Sequence, residues 1–141
     1  MRSEIRTNVI AIPSAVLDQM VDHAIAALPN EACGLLAGPG GRLQRFFPMT
    51  NADRSPMTYR LDPKEQIQAF NEFDELGWEL GGIFHSHTHT EAFPSPTDRA
   101  QAFYPEALYL LVSLADRDEP VLRGFTIRDG DVDEQEVRIT T

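Results

Sequence analysis

Cysteine is nearly missing from this sequence: Cys33 is the only one in 141 residues. A single cysteine forms no internal disulfide and builds no cysteine-rich zinc site, and it suits a reducing compartment. Positive charge is also scarce. There are 12 Lys and Arg against 22 Asp and Glu, a net charge of −10, and the basic residues form no cluster. A nucleic-acid backbone or an anionic membrane surface is therefore not an expected partner. No apolar run approaches the ~18 residues of a membrane span, and the opening stretch MRSEIRTNVIAIPSAV lacks the apolar core of a signal peptide. The chain reads as a cytoplasmic domain. Without internal repeats, low-complexity runs or a linker, residues 1–141 read as one domain.

Histidine is scarce too, but not evenly so. Of four histidines, three fall at positions 85, 87 and 89, inside HSHTHTEAFPSPTD, residues 85–98. The elements around this stretch can be read from period and punctuation. Residues 14–28 carry Leu17, Met20, Val21, Ala24, Ile25 and Leu28 at helical spacing behind Ser14, a good N-cap. EACGLLAG, 31–38, is a buried strand closed by Pro39-Gly40-Gly41, and 42–50 pairs with it as a hairpin. Residues 51–62 form a loop with room for one short strand. Asp62-Pro63-Lys64-Glu65 reads as a capping box, opening a helix that Gly77 ends. WELGGIFHS, 78–86, is a strand running into the histidines; 95–103 is a short helix; ALYLLVSL, 107–114, is a central strand. VLRGFTIRDG and DVDEQEVRI, joined at Asp129-Gly130, close the domain as a hairpin. The mixture implies an α/β or α+β sandwich around one sheet.

His85 and His87 lie two apart at a strand end, so the period of two puts both imidazoles on one face. That is the first half of a metal site. His89 would join them if the strand continued, but Thr-Glu-Ala-Phe-Pro-Ser-Pro reads as loop. Ser95-Pro96-Thr97-Asp98 is a strong helix start in its own right: serine at the cap, proline at N1, aspartate at N3. The same geometry would hold Asp98 still enough to serve as a third ligand. Two imidazoles and one carboxylate leave a fourth position open, which is the catalytic pattern rather than the closed structural one. A general base is then needed beside the water, and a carboxylate is the natural candidate. Asp18, Asp22, Glu65 and Glu72 fall on solvent faces of helices, whereas Glu31 opens an apolar strand.

Taken together, Glu31, His85-Ser86-His87, seven residues, Ser95, two residues and Asp98 resemble the metal signature of the JAMM/MPN+ metalloproteases. Every position of E … H-[ST]-H-x7-S-x2-D is met. Within that family, NEACGLLAGP, NADRSP and FHSHTHTEAFPSPTD look most like the bacterial Mec-type peptidases. The resemblance implies a cytidine-deaminase-like α/β fold: a single-domain sandwich with a central mixed sheet flanked by helices. It implies one catalytic zinc ion per chain held by His85, His87 and Asp98. Glu31 would be the acid/base, and Ser95 would help hold the oxyanion. It also implies hydrolysis of a peptide or isopeptide bond after the C-terminal Gly-Gly of a small ubiquitin-like sulfur-carrier protein, with cysteine released.

Two other readings stand beside this one. A non-catalytic MPN-type scaffold normally lacks the metal ligands, and here all are present. A nucleobase deaminase on the related fold wants H-x-E with P-C-x-x-C, which one cysteine cannot supply. An HxHxDH site is excluded because positions 89 and 90 are His-Thr. Cys33, on the strand face of Glu31, reads as a small buried hydrophobe; His23 reads as structural or surface; Trp78, Phe84 and Phe103 read as core. Phe93 is a candidate lining of the substrate groove.

Overall fold

The computed structural model describes residues 9–141. Seven strands form one mixed sheet. In chain order they are β1 (Val9–Pro13), β2 (Cys33–Gly38), β3 (Arg45–Met49), β4 (Glu79–His87), β5 (Leu108–Ser113), β6 (Val121–Arg128) and β7 (Asp131–Thr140). Across the sheet they lie β1-β7-β6-β5-β4-β2-β3. β1 pairs with β7, and β4 with β5, in parallel; the other neighbours are antiparallel. Helices α1 (Ser14–Ala27), α2 (Pro63–Leu76) and α3 (Pro96–Ala100) complete the domain. The expected mixed-sheet α/β sandwich is observed.

Strand alternation sends side chains to two separate cores. Leu36, Phe84, Leu108, Leu110 and Val112 pack with Val16, Met20 and Ala24 of α1. Cys33, Leu35, Ile83, Tyr109 and Leu111 pack with Ala69 and Phe73 of α2. β5 is buried at every position, which is why its sequence is a nearly unbroken apolar run.

Several sequence expectations are corrected. α1 starts at Ser14 itself, with Pro13 in the cap position and no side-chain cap bond. Its buried stripe is Val16, Met20 and Ala24, and Ile25, expected inward, is 47% exposed. Met20 and Ala24 are buried as expected, and Val21 and Leu28 pack partly buried against the same core, so the inward face is shifted towards Val16. β1 was not expected from the sequence at all; it is short and gains its ladder from β7, at the far end of the chain. At α2, Asp62 accepts from the N–H groups of Lys64 and Glu65 as a cap should. Glu65, however, is half-buried and does not turn back to Asp62. It accepts from Thr50 N and Thr50 Oγ1, at 2.6 and 3.0 Å. Glu72 stays on the solvent side, as expected, and there pairs with Arg45 at 2.7 Å. Both carboxylates tie α2 to β3 and the residue after it. α3 ends at Ala100 rather than 103, so Phe103 falls in a surface link and is 76% exposed instead of core. Phe84 is fully buried, and Trp78 packs partly buried against the α2-side core.

Candidate metal centre and active site

β4 sets the site. Ile83 points into the α2-side core, so His85 and His87, at the same parity, follow it on that face, and both are buried. α3 supplies the third group. Ser95 Oγ accepts from Asp98 N at 3.0 Å, and Asp98 Oδ2 accepts from Ser95 N at 2.9 Å, a complete capping box. The cap fixes Asp98 so that Oδ2 lies 3.1 Å from His85 Nε2 and 3.0 Å from His87 Nε2. The two Nε2 atoms are 3.3 Å apart. Among the described residues, these three form the group able to hold a metal ion.

The spacing tests that assignment. Around a tetrahedral ion with bonds of about 2.0–2.1 Å, ligand atoms sit roughly 3.3 Å apart. The observed triangle has edges of 3.0, 3.1 and 3.3 Å. The tautomer agrees. His87 Nδ1 lies 2.8 Å from the Glu91 carbonyl, which can only accept, so Nδ1 carries the proton and Nε2 turns its lone pair inward. His85 is held differently. Its buried Nδ1 has no protein hydrogen-bond partner. Instead, the Tyr59 ring stacks on the imidazole, centroids 4.3 Å apart and planes 17° from parallel.

Charge is distributed unevenly. Burial raises the pKa of Asp98, but hydrogen bonds from His85, His87 and the Ser95 N–H overcome it and hold the carboxyl well below the usual range. Burial lowers the pKa of His85. For His87, burial opposes protonation, yet the bonds to Asp98 and the Glu91 carbonyl outweigh it and raise the pKa. Glu31, just before β2, is 4% exposed, and its Oε1 has no hydrogen-bond partner. Burial pushes its carboxyl up to about 8, with His87 pulling down and Asp98 pushing up. Glu31 thus senses the ligand cluster without joining it.

Main-chain and buried polar contacts place Glu31, and the sequence reading assigned roles to none of them. Ser86, between the two histidines, faces the other way; its Oγ accepts from Ala32 N at 2.8 Å, and its N–H donates to the Ala32 carbonyl at 3.0 Å. This locks the residue next to Glu31 onto the histidine strand. Asn51 ties down the neighbouring loop: its Nδ2 donates to the Glu31 and Thr58 carbonyls at 3.1 and 2.9 Å, and its Oδ1 accepts from Asp53 N and Arg60 N. The Asx-prone start of NADRSP was the available signal for Asn51; Tyr59 had none. His89 stays outside the cluster, exposed, with Nδ1 2.7 Å from Thr88 Oγ1. His23 is structural: Nε2 lies 3.1 Å from both the Cys33 and Met49 carbonyls. Phe93, 40% exposed, packs edge-on against Phe125, with Arg123 over both rings.

An open set of two imidazoles and a carboxylate beside a desolvated glutamate is the arrangement of a metal-assisted hydrolase. Residues 13–127 match the model for prokaryotic homologs of the JAB domain, and the chain belongs to that family. It is 45% identical over 133 residues to the CysO-cysteine peptidase of Mycobacterium tuberculosis, covering 93% of this chain and 91% of that protein. It is 31% identical over 102 residues to a desampylase of Haloferax volcanii, covering 70% and 73% of the two chains. Among solved structures, the solution structure of protein DSY2949 from Desulfitobacterium hafniense aligns with a TM-score of 0.85 at 39% identity, covering 94% of this chain and 93% of that one. The names of the two curated relatives support a hydrolase. No helix among the described residues is long and apolar enough to cross a membrane.

Proposed function

We propose that this protein is a cytoplasmic zinc metallopeptidase that hydrolyses the bond after the C-terminal Gly-Gly of a small ubiquitin-like sulfur-carrier protein and releases cysteine. The observation that carries the reading is the 3.0–3.3 Å triangle of His85 Nε2, His87 Nε2 and Asp98 Oδ2, with a buried and unpartnered Glu31 beside it. The matched peptidase and desampylase supply the substrate class by similarity.

His85, His87 and Asp98 would hold one zinc ion. When bound, the ion supplies Lewis acidity and brings the pKa of a water towards about 7. Glu31 is the general base. Its carboxyl, about 8 from burial, falls back towards ionisation once positive charge stands at the cluster. The carboxylate takes a proton from the attacking water and later gives it to the leaving amine. The hydroxyl of Ser95 helps hold the oxyanion: its oxygen already accepts from Asp98 N, so its proton is free to be donated. A donor of this kind is worth about 3–4 kcal/mol in comparable sites. The test is incubation of the zinc-loaded protein with a carrier ending Gly-Gly-Cys. Mass spectrometry should report loss of one cysteine, a chelator should stop the reaction, and added zinc should restore it. Zinc-loaded protein that cleaves no Gly-Gly-terminal conjugate would refute the substrate assignment.

A further inference from the structure

A cavity of about 400 Å³ opens on one side of Glu31 and is lined by none of His85, His87 or Asp98. Asn30, Thr50, Asn51, Arg54 and Glu65 are among its walls. Its charges are not equally available. Glu65 is taken up by the N–H and hydroxyl of Thr50. Asp53, beside Arg54 in sequence, is taken up by Arg60 and Thr58. The ion pairs among the described residues occupy Arg45, Arg60 and Arg123 and leave Arg54 unpaired.

Arg54 is also held in register with Glu31. The Glu31 N–H donates to the carbonyl of Ser55, the next residue after Arg54, at 2.9 Å. Arg54 N donates to the Asn51 carbonyl at 3.1 Å. The same buried Asn51 donates from its side chain to the Glu31 carbonyl at 3.1 Å. The turn sets Arg54 at φ 48, the left-handed region that a non-glycine residue adopts at some cost. One hydrogen-bonded hub therefore holds the backbones of Glu31 and Arg54 together, and both residues line one cavity.

We infer that Arg54 binds the free α-carboxylate of the leaving residue, so that the site is built to release a single terminal amino acid. The inference rests on Glu31 passing its proton to the leaving amine. That amine then lies at Glu31, and the cavity that Glu31 shares with Arg54 offers room for the rest of its residue. A guanidinium is suited to a carboxylate, which it meets with paired N–H donors. A lysine side chain in an isopeptide brings no carboxylate to that point and gains nothing from Arg54.

The experiment compares acetyl-Gly-Gly-Ala with a free carboxylate against the same peptide as its C-terminal amide. Alanine replaces cysteine so that no thiol reaches the metal ligands. Binding is measured by calorimetry to zinc-loaded Glu31→Gln protein, which needs no turnover, with and without Arg54→Gln. A charge-assisted bond of this kind gives about a ten- to hundred-fold preference for the acid. The preference should fall to about two-fold or less with Arg54→Gln and be partly kept with Arg54→Lys. In turnover of the matching carrier conjugates, Arg54→Gln should raise KM for the acid more than it lowers kcat. Equal binding of acid and amide, or an acid preference that survives Arg54→Gln, would overturn the inference. A clear Arg54-dependent acid preference in a protein that hydrolyses no carrier would instead refute the proposed function and leave the carboxylate site standing.

Discussion

Asp98 and Glu31 are both buried carboxylates at one site, yet burial ends differently for each. Asp98 Oδ2 meets His85, His87 and the Ser95 N–H within 3.1 Å, and its pKa is held down. Glu31 is at least as buried, but its Oε1 has no partner, and its pKa rises to about 8. The fold surrounds Asp98 with donors at its own side chain. Near Glu31 the donors go to the main chain instead: the Ser86 N–H to the Ala32 carbonyl and Asn51 Nδ2 to the Glu31 carbonyl. In the proposed function the first carboxylate serves as a ligand, and the second, whose Oε1 has no partner, takes the proton. Desolvation and partners, not residue type, separate the two roles.

The sharpest way to break this contrast is to remove the ligand carboxylate. Asp98→Asn should weaken zinc binding by more than the ~10–100-fold typical of losing a ligand's hydrogen-bonded support, as read by competition with a coloured chelator. Next is Tyr59, whose ring stacks on His85, the imidazole whose Nδ1 has no hydrogen-bond partner. Tyr59→Leu should weaken zinc binding by about ten-fold, at the low end of that range, and Tyr59→Phe should not, because the stacking face is kept. A larger loss in Tyr59→Phe would assign the effect to the hydroxyl.

The contrast also predicts opposite pH slopes in chelator-treated protein. Asp98, depressed in the fold, adds stability above its unfolded pKa of 3.8 that is lost as pH falls. Glu31, raised, adds stability below 4.5 that is lost as pH climbs towards about 8. Urea denaturation at several pH values should show a slope of each sign, and Glu31→Gln should remove only its own share of the loss between 4.5 and 8. The smallest expected effect is at Cys33. Burial pushes its thiol up to about 12, with Glu65, Glu31 and Asp53 adding to the rise, so it should resist maleimide in the native state at pH 8. Cys33→Ala should leave zinc binding unchanged and cost about 1 kcal/mol.

Much of this was legible because local rules agreed with tertiary needs. The Ser95–Asp98 cap, the parity of His85 and His87, and the apolar run of β5 each follow from neighbours in sequence. What was illegible came from distant partners. β1 depends on β7 at the far end of the chain. Glu65 forgoes its local capping bond because Thr50 offers an N–H and a hydroxyl. Phe103 looks like core by composition, but its segment runs over the surface. Tyr59 reaches His85 only through a loop whose path is set by the side-chain amide of Asn51.

The most direct test of the division between ligand and base is Glu31→Gln, measured for zinc and for hydrolysis in the same preparation. The change keeps the shape and removes the site that takes the proton. Zinc should stay at the wild-type level, while release of the residue after Gly-Gly falls by about 10²–10⁴-fold. Loss of zinc together with activity would make Glu31 a ligand, and wild-type turnover in Glu31→Gln would remove it from the chemistry; either result contradicts the account.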